Sequence, residues 1–181
     1  MGRELPILPS APQPGEPEGT EAAIYSRVFC VRENSPPLRL LLDFLKSKGQ
    51  VPLIPKMDPA ALDDWAWVRI SLGYHRERKP IQLICVRNQG TYQDILEQER
   101  KYFLERLGIF DDEEADIVRG QVTRAQFLVT TLMIKADVTE EGYDFNGWIL
   151  EFFQDQCNGI VQVDGQGFFS PKGELVVEMD E

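Results

Sequence analysis

Two stretches of this chain carry the same hydrophobic rhythm, strand–helix–strand–strand, and that repetition limits its folds more than any other feature. In the first stretch, Ile24 to Arg32 is rich in β-branched and aromatic residues and reads as a strand. Ser35 and Pro36 read as a helix start, with serine as the cap and proline in the first turn. Leu38, Leu41, Leu42 and Leu45 then recur at helical spacing until Gly49 stops them. A proline-punctuated connection from Val51 to Pro59 follows. Trp65–Tyr74 and Ile81–Arg87 read as two strands, joined by the charged turn His75-Arg76-Glu77-Arg78-Lys79.

The second stretch repeats the order. Phe127–Ala136 is a strand that is apolar on both faces. Tyr143–Cys157 is a helix with the stripe Phe145, Trp148, Ile149, Phe152 and Phe153, ended by Asn158-Gly159. Ile160–Val163 and Leu175–Met179 are strands, and the connection from Asp164 to Gly173 is dense with turn residues. Between the two units, Tyr92–Leu107 reads as a helix capped through Thr91 and Asp94, and a shorter helix covers Asp112–Thr123 despite Gly120.

These elements predict an α+β protein with a duplicated β-α-β-β pattern. The first six elements spell β-α-β-β-α-β, the ferredoxin-like order, which implies a mainly antiparallel sheet with helices packed on one face. The expected organisation is a disordered proline-rich tail over 1–22, carrying Pro6, Pro9, Pro12, Pro14 and Pro17. A first βαββ unit spans 23–90, a helical linker 91–124 and a second βαββ unit 125–181, all within one compact domain. With 43% apolar residues among 181, the chain can fill a core of that size.

Charge narrows the function. The chain carries a net −11, which opposes sequence-independent nucleic-acid binding and docking on anionic membranes. The acidity is lopsided. Residues 111–181 hold 16 acids against Arg119, Arg124, Lys135 and Lys172, a net of −12, while residues 1–110 carry +1. The acidity peaks at Asp111, Asp112, Glu113, Glu114 and Asp116. Such a run either complements a helix N-terminus or forms a face that steers a basic partner.

Trp65, Trp67 and Arg69 are the other interaction candidates. On a strand they share one face, so the tryptophans either lie beneath another element or form an exposed platform beside the arginine. Cys30, Cys85 and Cys157 are odd in number, widely spaced and set among apolar residues, as buried reduced thiols are. The N-terminus lacks the apolar run of a secretory signal, so a cytoplasmic location is expected.

Catalytic, cofactor and metal signatures do not emerge. Asp144-Phe145-Asn146-Gly147 misses the glycine position of a calcium loop, and Gly165-Gln166-Gly167 lacks the third glycine and helix of a dinucleotide fingerprint. The sequence therefore predicts a non-catalytic protein-interaction module whose acidic C-terminal half docks a basic protein partner. No catalytic residue, cofactor, metal, nucleic acid or membrane is expected. The alternative is a small-molecule sensor with an apolar cleft between the two βαββ units.

Overall fold

Side chains on a strand point alternately to its two faces, and in β1 (Ala23–Cys30) both sets are buried from Ser26 onward. A strand of that kind must lie inside a sheet that is covered twice. In the computed structural model, which describes residues 22–180, β1 does lie at the middle of a seven-stranded sheet. The tail expected over 1–22 falls, apart from its last residue, outside the described residues.

The remaining elements are α1 (Leu38–Ser47), a 3₁₀ turn (Pro59–Asp63), β2 (Arg69–Leu72), β3 (Ile81–Arg87), α2 (Gln93–Leu107) and α3 (Glu113–Arg124). They continue with β4 (Phe127–Ile134), α4 (Glu140–Cys157), β5 (Gly159–Val163), β6 (Gly167–Phe169) and β7 (Leu175–Glu178). The sheet order is β2-β3-β4-β1-β5-β6-β7, and every neighbouring pair is antiparallel.

The fold is thus α+β, but it departs from the sequence expectation in two ways. First, helices cover both faces of the sheet. Leucines of α1 and the aromatic stripe of α4 pack with Val28 and Cys30 on one side. Leu96, Phe103 and Leu107 of α2 and Ala115, Val118 and Val122 of α3 pack with Phe29 on the other. Second, the two units do not keep the same strand order. In the first, the third strand (β3) meets the other unit by pairing with β4; in the second, it is the second strand (β5), which pairs with β1. The ferredoxin-like duplication is not reproduced. With β1 and β4 paired at the centre, the units share one sheet.

Local chemistry explains the boundaries. Asp112 caps α3 by accepting from the Ala115 amide at 2.7 Å, and Thr139 caps α4 by accepting from Gly142, so α4 starts three residues before the expected Tyr143. Neither Ser35 nor Thr91 caps a helix. Pro37 and Tyr92 stand at those N-cap positions without a side-chain bond, and the Ser35 hydroxyl instead donates to the Trp65 carbonyl. Asn158 ends α4 in the left-handed region at φ 50°.

β6 was hidden in the turn-rich segment. It forms because Phe168 is wholly buried against Phe29 and Phe103. Its neighbour Gly167 sits at φ 130°, where a Cβ would lie 1.9 Å from the Val177 carbonyl oxygen, so only glycine lets β7 close on β6.

Candidate functional site

The α2–α3 corner is where the acidic run meets an apolar surface. α2 ends at Leu107, and Arg119 of α3 reaches back to donate to the carbonyls of Leu107 and Phe110. That clamp adds a second bond to the last carbonyl of α2, which also accepts from the Phe110 amide, and fixes the short connection between the helices. The connection holds Ile109 outward, at 83% exposure. Beside it lies a hollow of about 540 Å³ between the end of α2 and the end of β7, lined by Glu105, Arg106, Ile109, Phe110, Glu178 and Met179, with Asp180 at its edge.

The five acids of the run lie immediately beyond Phe110, all exposed, in two roles. Asp112 caps α3, and Asp116 pairs with Arg119. Asp111, Glu113 and Glu114 face solvent at the positive end of the α3 dipole. Ile117, 59% exposed, follows Glu113 by four residues and Glu114 by three, so it stands on their side of the helix. The result is apolar side chains rimmed by carboxylates, with Arg106 folded over the Tyr102 ring at 3.9 Å.

The acidity of residues 111–181 is not gathered on one face. α3 lies on the α2 side of the sheet, and Glu178 and Asp180 at the end of β7 line the hollow beside α2, while Glu140, Glu141, Asp144 and Asp155 are exposed on α4, which covers the opposite side. Two acidic surfaces result, and at the α2–α3 corner the acidic run lies beside the hollow that Ile109 lines.

The structure separates the other three candidates. β2 begins only at Arg69, so Trp65 and Trp67 precede the strand, contrary to the expected Trp65–Tyr74. Trp67 is buried at 6% exposure, donates its indole N–H to the Pro36 carbonyl at 2.8 Å and packs on Phe153. Trp65 is 52% exposed. Arg69 is exposed, on the face of β2 opposite Ile70 and Leu72. Arg87, not Arg69, stands beside the tryptophans, its guanidinium carbon 5.8 Å from the Trp65 ring centre and 6.0 Å from that of Trp67. The sequence held that signal: Ile81, Leu83, Cys85 and Arg87 alternate onto one face, so a cation ends a core-facing row.

All three thiols are buried and reduced. β4 lies between β1 and β3, so Cys30 and Cys85 are not on adjacent strands, and Cys30 instead hydrogen-bonds with Cys157 at the end of α4. Burial pushes the Cys30 thiol well up and that of Cys85 to about 12. His75 is exposed in the β2–β3 turn, where its Nδ1 accepts from the Glu77 amide. Among the described residues, no group of three or more His, Cys, Asp or Glu side chains is arranged to hold a metal, and no helix is long and apolar enough to cross a membrane. No protein-family model, no curated protein and no solved structure matches this chain.

Proposed function

We propose that this chain is a non-catalytic protein-interaction module that docks a basic, amphipathic segment of a partner protein at the α2–α3 corner. The observation that carries this reading is Ile109, almost fully exposed beside a hollow and next to a run of five acids. A lone exposed isoleucine is ordinary. One set beside a cavity and followed at once by a run of carboxylates has the anatomy of an anchor with a steering field. The fitting partner presents an apolar side chain flanked by lysines and arginines.

A fluorescein-labelled helical peptide with a leucine stripe and a lysine face tests it, with binding followed by anisotropy at rising salt. Ile109→Asp and the triple Asp111→Lys/Glu113→Lys/Glu114→Lys are each expected to weaken binding by roughly tenfold or more. The control triple Glu140→Lys/Glu141→Lys/Asp144→Lys makes the same change of net charge on the far side of the sheet and is expected to cost about twofold or less once salt screens distant charges. Equal losses from the two triples would show that the peptide senses net charge alone, and the corner would lose its assignment.

A further inference from the structure

A different kind of hollow lies at the other end of α2. A notch of about 380 Å³ opens where the end of β3 meets the start of α2, and its lining includes Trp65, Arg87, Asn88, Thr91, Tyr92 and Gln126. That volume falls in the range of small-molecule sites. Three features of its chemistry point the same way.

The first is the state of Arg87. Arg27, Arg39, Arg78, Arg100 and Arg119 each pair with a carboxylate. The acceptors that Arg87 meets among the described residues are neutral: its Nη2 donates to the Ser35 hydroxyl at 2.6 Å and to the Trp65 carbonyl at 2.7 Å. Its Nε is buried and has no hydrogen-bond partner. A guanidinium held only by neutral groups retains its pull on an anion, and its planar fork suits a carboxylate above other shapes. The second feature is the aromatic wall. Trp65 keeps half its surface open, and Tyr92 lines the same notch. The third is the polar floor. Asn88 and Gln126, joined side chain to side chain at 2.9 Å, present amides rather than more charge. Glu33 also lines the notch, so a ligand bearing two negative charges meets repulsion there that a single carboxylate can avoid.

We infer that this notch is a binding site for a small aromatic carboxylate, with Arg87 taking the carboxylate and Trp65 the ring. It is independent of the docking surface at the α2–α3 corner, because none of its lining residues is shared with that hollow.

Benzoate is the probe, with benzamide as its neutral counterpart and acetate as the carboxylate without a ring. In ¹H–¹⁵N spectra of the full chain, benzoate is expected to shift the Trp65 indole N–H and the Arg87 Nε–H saturably. The Trp67 indole, tied to Pro36 in the core, serves as the internal control and stays in place. Benzamide and acetate should each bind at least roughly tenfold more weakly than benzoate, since each lacks one of the two contacts. Trp65→Ala, at a half-exposed position, should cost a similar factor, as should Arg87→Lys, which keeps the charge but loses the fork. Absence of a saturable shift with benzoate, or benzamide binding as tightly as benzoate, overturns the assignment. Both outcomes are read on the unmodified protein, so they stand even if Arg87→Lys fails to fold.

Discussion

The two sides of the sheet solve the problem of burial differently, although β1 feeds both. On the α2–α3 side it buries a charge. Arg27 is 0% exposed, bonded to Glu99 of α2 at 3.2 Å, to Gln162 at 2.8 Å and to Asp164 at 2.7 Å, with its guanidinium 5.2 Å from the Phe103 ring centre. On the α1–α4 side β1 contributes Val28 and Cys30 to a core dominated by aromatic and aliphatic side chains, and the buried polar groups there are neutral. The oily side gains from area alone, at about 25 cal/mol per Å² of apolar surface. Charged burial gains little from area and must be matched atom for atom. Its geometry ties α2 to β1 and to the turn after β5, so it constrains arrangement more than it adds stability.

That difference predicts the largest effect. Glu99→Leu takes one carboxylate partner from the buried Arg27, and the expected cost is about 3–5 kcal/mol in urea unfolding. Adding Arg27→Met should recover most of that loss, because an apolar pair of similar volume needs no matching charges. Asp164, whose side chain is partly exposed, can then be hydrated. On the other side Phe153→Ala should cost a comparable amount by leaving a cavity, and no polar partner change would restore it. A double variant no more stable than Glu99→Leu alone would show that Arg27 is held by something other than its carboxylates.

The same contrast explains what could be read from the sequence. Helical stripes are local, so α1 and α4 were legible from Leu38, Leu41, Leu42 and Leu45 and from Phe145, Ile149, Phe152 and Phe153, all of them buried. The second helical layer also had a signal, because Phe127–Ile134 is apolar on both faces and only a doubly covered sheet has use for that. Strand order had none: the insertion of β4 between β3 and β1 depends on pairings far apart in sequence. Among the site residues, Asp111 to Glu114 announced themselves by composition, but the hollow that Ile109 lines did not, since the end of β7 reaches α2 only in three dimensions. Trp65 and Trp67 were placed on one face by a strand rule that does not apply before Arg69.

A smaller effect separates the sides by pH. Cys85 lies on the α1–α4 side, and burial raises its thiol to about 12, although the Arg87 charge pulls the other way. In the unfolded chain the thiol ionises near its ordinary value, around 8.5. Below that value both states hold the proton and Cys85 contributes no slope. Above it the unfolded state releases a proton that the folded state keeps, so unfolding is favoured by about 1.4 kcal/mol per pH unit until the folded thiol ionises. Urea midpoints at successive pH values above 9 should therefore fall less steeply for Cys85→Val than for the unchanged protein. Parallel curves would mean that the thiol is hydrated when folded.

The smallest expected effect is also the most direct comparison, because it rests on neighbouring threonines of β4 that face opposite sides. Thr131 is fully buried opposite Ser26 on the α1–α4 side, and its hydroxyl has no hydrogen-bond partner; Asn146, whose Nδ2 reaches Ser26 only at 3.5 Å, leaves its own Oδ1 without one. Thr130, also buried, stands opposite Arg27 on the charged side. Thr131→Val removes an unsatisfied polar atom at nearly constant shape and should stabilise by about 1 kcal/mol. Thr130→Val removes a dipole from beside a buried guanidinium and should destabilise by about the same amount. One chemical change, one residue apart, is thus expected to carry opposite signs. Urea unfolding of the two variants reads it directly, and equal signs would mean that the two sides do not differ in how they tolerate a buried polar group.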